Sequence, residues 1–136
     1  LDVATIFVYI HKPKTMKKDK TLVIGASLNP ERYACKAALK LLEHGHEIYL
    51  LGSRPGILSG REIVTEPLPY PDVDTVTLYL SPKNQEAYRE YIISLRPRRV
   101  IFNPGAENPA LASVLLQQGI QPLEACTLVL LSTRAY

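Results

Sequence analysis

Apolar residues along this chain fall into short unbroken runs, separated by longer stretches in which they recur every three or four positions. The runs are TLVIG (21–25), HEIYLL (46–51), REIVT (61–65), TVTLYL (75–80), RRVIF (98–102) and a weaker one around Leu123. Runs of this length, bounded by Gly, Pro or Asn, mark strands covered on both faces. The stretches between them have helical spacing. Ala34, Ala37, Ala38, Leu41 and Leu42 define the buried face of a first helix, Lys36, Lys40 and Glu43 lie opposite, and Gly45 terminates it. Ser81-Pro82 and Asn108-Pro109 each read as a cap followed by a proline in the first turn. Ala87, Tyr88, Tyr91, Ile92 and Leu95 give the second helix its buried face. Leu111, Ala112, Leu115 and Leu116 do the same for a third, which ends near Gly119. SRPGILSG (53–60) and EPLPYPDVD (66–74) are turn-rich loops, and the segment after Leu123 is a short packed tail.

The order β-α-β-(β)-β-α-β-α-β predicts an α/β protein: a single Rossmann-type, doubly wound, mainly parallel sheet with helices on both faces. Residues 16–136 form this domain. Residues 1–15 are expected to be an N-terminal extension outside the core fold, since Met16 opens MKKDKTLVIG directly ahead of the first strand. The leader's apolar run VATIFVYI is too short to span a bilayer, and its lysines follow it, the reverse of a secretory signal.

A length of 136 residues, 46% apolar and 21% charged, is that of one ordinary folded domain. The balance of 16 basic against 13 acidic residues favours a small anionic ligand, without the basic stripe that nucleic acid requires. Two cysteines, Cys35 and Cys126, make no disulfide framework, and no Cys/His spacing matches a metal site. A cytoplasmic protein with no membrane partner is expected.

Doubly wound sheets bind ligands beyond the carboxyl ends of their strands, where the strand order reverses. That rule selects four loops: GASLNPER (25–32), LGSRPG (51–56), LSPKN (80–84) and FNPGAEN (102–108). The first is neither GxGxxG nor GxxxxGK[ST], having one glycine, Gly25. It does end a buried strand at the start of a helix, so backbone amides of Gly25 and Ala26 are expected to face an anion. Ser27 and Asn29 add side-chain donors, and Arg32 adds a planar charge suited to phosphate. After the second strand, where NAD-binding domains carry an acid for the ribose, stand Gly52, Ser53 and Arg54. Arg54 suits a phosphate on the adenosine ribose, which NADP and coenzyme A both carry. The last two loops contribute Ser81, Asn103 and Gly105 as further candidate contacts.

The GAS turn with its downstream Pro and Arg, the strand, helix and HGHEIYLL unit, and the later strand followed by NPG together resemble the compact bacterial CoA-binding domain proteins. These are similar to the CoA-binding domain of the succinyl-CoA synthetase alpha subunit. The resemblance covers about residues 17–132 and implies coenzyme A as the ligand, with NADP the alternative. It implies phosphate contacts at Gly25, Ala26, Ser27 and Arg32, and adenosine contacts at Ser53 and Arg54. The chain departs from the family where Asn-Pro often follows strand two, and where an aromatic, Gln and Gly often follow the penultimate strand.

Catalytic groups are not concentrated in these loops. His44 and His46 bracket a turn at the opposite end of the sheet, and His11 lies in the leader. The reading is a non-catalytic or accessory CoA-binding protein. The alternatives are a small enzyme, either an NADP-dependent reductase or a thiol or acyl transferase using Cys126, and an interaction module with a decayed nucleotide pocket.

Overall fold

The computed structural model describes residues 17–136, and the extension expected over residues 1–15 lies outside them. In chain order the elements are β1 (Lys20–Ile24), α1 (Tyr33–Glu43), β2 (Ile48–Leu51), β3 (Gly56–Leu58), β4 (Arg61–Val64), β5 (Val73–Leu78) and α2 (Pro82–Gln85). A 3₁₀ turn (Glu86–Tyr88) leads into α3 (Arg89–Leu95), followed by β6 (Arg99–Phe102), α4 (Pro109–Gln117), β7 (Gln121–Glu124) and α5 (Thr127–Ser132). The strands form one seven-stranded sheet in the order β3-β4-β2-β1-β5-β6-β7. Every neighbouring pair is parallel except the β3–β4 hairpin. The expected doubly wound, mainly parallel architecture is the one observed.

Alternation along the central strands explains their near-continuous apolar sequence. Leu22 and Ile24 of β1 join Val76, Leu78, Val100 and Phe102 in one core, against Ile92 and Leu95 of α3 and Leu111 and Leu115 of α4. Val23, between them, faces the other way and packs with Leu50, Ile63, Ala34, Ala38 and Leu41, closed by Leu131 of α5. Both faces are therefore dry, as parallel strands require. The alanines of α1 are fully buried, so this helix lies against the sheet with little side chain between.

Four local expectations change. SRPGILSG is not only a loop: β3 (Gly56–Leu58) pairs antiparallel with β4, Leu58 opposite Arg61, through a two-residue turn at Ser59 and Gly60, both with positive φ. The second helix is broken into α2, the 3₁₀ turn and α3, which leaves Ala87 exposed, and Ser81 makes no side-chain cap. Leu116 is 63% exposed instead of joining the stripe of α4. The tail is helical, since α5 packs beside α1 with Lys40 Nζ donating to Ser132 Oγ. Asn108 caps α4 as its sequence predicts, its Oδ1 accepting from Leu111 N at 3.1 Å.

Candidate functional site

β1 lies between β2 and β5, so chain progression reverses there. At that point, beyond the carboxyl ends of the three strands, a cavity of about 570 Å³ opens. Its size is that of a small-molecule site. Its floor is the loop after β1. Gly25 turns the chain with φ +95°, and a Cβ there would stand 2.6 Å from Tyr79 O, so only glycine permits the turn. Gly25 N and Ala26 N both donate to Leu51 O, at 2.9 and 3.0 Å. These two amides, expected to face an anion, instead bind the loop to β2. The donors that point to a ligand come from farther along.

Ser27 Oγ accepts from Asn29 N at 3.1 Å, and Asn29 Oδ1 accepts from Glu31 N at 3.0 Å. The loop is thus shaped by its own side chains, while the Ser27 hydroxyl proton and the Asn29 Nδ2 remain donors. Arg32 occupies the N-cap position of α1, whose amino end has no side-chain cap. An eleven-residue helix presents unsatisfied amides and the positive end of its dipole there. Ser27, Asn29 and Arg32, the residue that precedes the helix, line the same cavity.

The loop after β2 forms one wall with Gly52, Ser53 and Arg54. A Cβ on Gly52 would lie 2.3 Å from Ala26 O, so the missing side chain lets the two loops touch. The residue that replaces a ribose-binding position in the sequence is a packing requirement in the structure. Among the described residues neither Arg32 nor Arg54 forms an ion pair, and both are exposed. Two unpaired guanidinium groups on adjacent loops suit two anionic groups on one ligand.

The opposite wall consists of Tyr79 and Leu80 after β5, and Tyr88 from the 3₁₀ turn; of these only Leu80 falls in a loop that the sequence selects. The Tyr79 hydroxyl is buried with no hydrogen-bond partner, and burial pushes its pKa up to about 12. Tyr88 is brought in only because the helix is broken, which no local sequence signal announces.

The remaining sequence candidates lie outside the cavity. Asn103 is buried and its amide is fully engaged, Nδ2 donating to Thr77 Oγ1 and Leu78 O while Oδ1 accepts from Thr127 N. It ties β5, β6 and α5 together. Gly105 is exposed and its N–H donates to Glu107 Oε1, and Ser81 is exposed and does not line the cavity. Cys126 is half-buried at the start of α5, and it does not line the cavity. No group of metal-ligating side chains and no helix long and apolar enough to cross a membrane occurs among the described residues.

Comparison with known proteins bears on the family and the fold. The family described as CoA binding domain matches residues 19–132. The crystal structure of an uncharacterized protein is 47% identical, with a TM-score of 0.85 over 87% of this chain and 98% of that one. A hypothetical protein from Pyrococcus horikoshii OT3 is 28% identical, with a TM-score of 0.76 over 89% of this chain and 85% of its own. A Thermus thermophilus structure, 21% identical with a TM-score of 0.73 over the whole of both chains, shares the fold. No curated protein matches.

Proposed function

Because the chain belongs to the CoA-binding domain family, we propose that it binds coenzyme A in the cavity beyond β1, β2 and β5, as a non-catalytic or accessory binding protein. The observation that carries this reading is the placement of Arg32 and Arg54 on two loops that Gly52 holds in contact. The pyrophosphate lies at the amino end of α1, where Ser27, Asn29 and Arg32 supply donors. The ribose phosphate lies at Arg54, with Ser53 beside it.

The absence of a carboxylate after β2 favours this ligand over NAD, which offers two ribose hydroxyls there. Among the described residues no Asp, Glu, His, Lys or Cys lines the cavity, and of the two tyrosines that do, Tyr79 has its hydroxyl buried and its pKa pushed up to about 12; that supports binding over general acid–base chemistry by a carboxylate, imidazole, amine or thiol. Isothermal titration with CoA, dephospho-CoA, NADP and NAD tests the proposal. CoA is expected to bind, and loss of the ribose phosphate to weaken binding by about tenfold or more, the worth of one charge-assisted contact. No binding of any of the four at millimolar ligand would sink it.

A further inference from the structure

Arg54 sits on a short tether. Ser53, Arg54 and Pro55 join Gly52 to Gly56, and all three are exposed and line the cavity. Each end of the tether is tied to β4: Gly52 N donates to Val64 O at 2.9 Å, and Gly56 pairs with Ile63 at the start of β3. Each end also touches the loop after β1. At Gly52 main chain meets main chain, since a Cβ there would lie 2.3 Å from Ala26 O. At Gly56 the partner is a side chain. A Cβ there would stand 2.4 Å from Leu28 Cδ1 and 3.0 Å from Leu28 Cγ, so the tip of the leucine occupies the space that a side chain at position 56 would need. Residues 26 and 28 thus grip the two ends of the Arg54 tether, with Ser27 between them.

The core does not account for the place of Leu28. It is 47% exposed, belongs to neither apolar cluster, and lines the cavity beside Ser27 and Asn29. The site does have a use for it. Arg32 and Arg54 are like charges on the lining of one cavity, neither in an ion pair among the described residues, so without ligand their repulsion favours parting the two loops. A ligand with two anionic groups gains from both arginines only if the loops keep their spacing. Binding groups need support to within about 0.5 Å, which falls to neighbouring contacts.

Resting on the nucleotide reading above, we infer that Leu28 is a positioning residue for Arg54. Seated on Gly56, it holds the Arg54 tether at a set distance from Ser27 and Arg32, and so sets the preference for a ligand whose second anionic group matches that distance. Gly56 is the seat: any side chain there displaces the leucine.

Isothermal titration of wild type, Leu28→Ala, Leu28→Met and Gly56→Ala with CoA and dephospho-CoA tests this, because the two ligands differ by the ribose phosphate alone. The readout is the ratio of the two affinities, which a general loosening of the fold would leave unchanged. Wild type is expected to prefer CoA about tenfold or more. Leu28→Ala, which removes a half-exposed side chain outside both clusters, is expected to fold and to lower that ratio about three- to tenfold, the worth of ordering one side chain and its loop. Leu28→Met keeps the apolar volume and is expected to retain the ratio. Gly56 does not have a positive φ, and the nearest atoms an alanine would meet there belong to the leucine tip. Gly56→Ala is therefore expected to lower the ratio as Leu28→Ala does, and the double variant to lose no more than either alone. An unchanged ratio in Leu28→Ala, or equal weakening of both ligands, overturns the inference and leaves the nucleotide reading in place. Equal loss of the ratio in Leu28→Met and Leu28→Ala overturns it too, since the apolar contact is then not what acts. Equal affinity of wild type for the two ligands, or binding of neither, is a different result: it removes the assignment of the ribose phosphate to Arg54, and the inference with it.

Discussion

Gly25 and Gly52 show how little space the site leaves for side chains where its loops meet. At Gly25 a Cβ would meet Tyr79 O at 2.6 Å in a backbone region, φ +95°, that other residues rarely adopt. Gly25→Ala is expected to cost about 2 kcal/mol or more, from left-handed strain plus the clash, read as a shift in the urea midpoint. A change within about 0.5 kcal/mol would mean that the turn is not as described. A second residue-scale effect lies at the other end of the sheet. The His46 ring packs tilted against Tyr136, with ring centroids 4.7 Å apart and 60° between the planes, and the Arg99 guanidinium lies 4.4 Å from the Tyr136 ring. Burial lowers the His46 pKa, helped by the positive charges of His44 and Arg99. The unfolded chain thus takes up this proton near the ordinary histidine value of about 6.5, and the folded protein takes it up only at lower pH. Stability is present above that pH and falls as pH drops through the folded pKa. Thermal denaturation between pH 7.5 and 5.5 is expected to show a falling midpoint, and His46→Gln to flatten the dependence; an unchanged slope in that variant contradicts the assignment.

Two elements depart from what periodicity alone predicts. The β3–β4 hairpin follows the loop of Ser53, Arg54 and Pro55 and carries Gly56 against Leu28, where a Cβ would be 2.4 Å from Leu28 Cδ1. Its turn signal, Ser59-Gly60, was present in the sequence, but three residues of strand are too few for alternation to register. The broken second helix has a different cause. A continuous helix from Ser81 would carry Gln85 on its own spacing, whereas the observed chain turns Gln85 inward to satisfy two carbonyls from different loops. That long-range demand is invisible to local propensity. Gln85→Leu keeps the volume and leaves the Leu80 and Ala106 carbonyls and the Asn108 amide without this partner. It is expected to destabilise the protein by about 2–4 kcal/mol in urea denaturation, the cost of unsatisfied buried groups. A neutral substitution would show that water replaces the amide.

For the whole molecule, the α/β class and the single doubly wound, mainly parallel sheet were legible from strand, helix and turn signals, because connection rules leave few topologies for such a pattern. Within the site, residues whose role is local were readable: Gly25 as the turn, Arg32 and Arg54 as charges on adjacent loops. Residues defined by tertiary contact were not. Gly25 and Ala26 amides bind Leu51 O, Asn103 serves the scaffold, and Tyr79, Leu80 and Tyr88 complete a wall with no motif of their own. The account of the whole rests on one ligand lying across β1, phosphates toward α1 and Arg54. A crystal structure of the protein with CoA tests this most directly. The account predicts pyrophosphate density beside Ser27 and Arg32, with the ribose phosphate at Arg54. Density at another surface, the reverse orientation, or none at saturating CoA would contradict it.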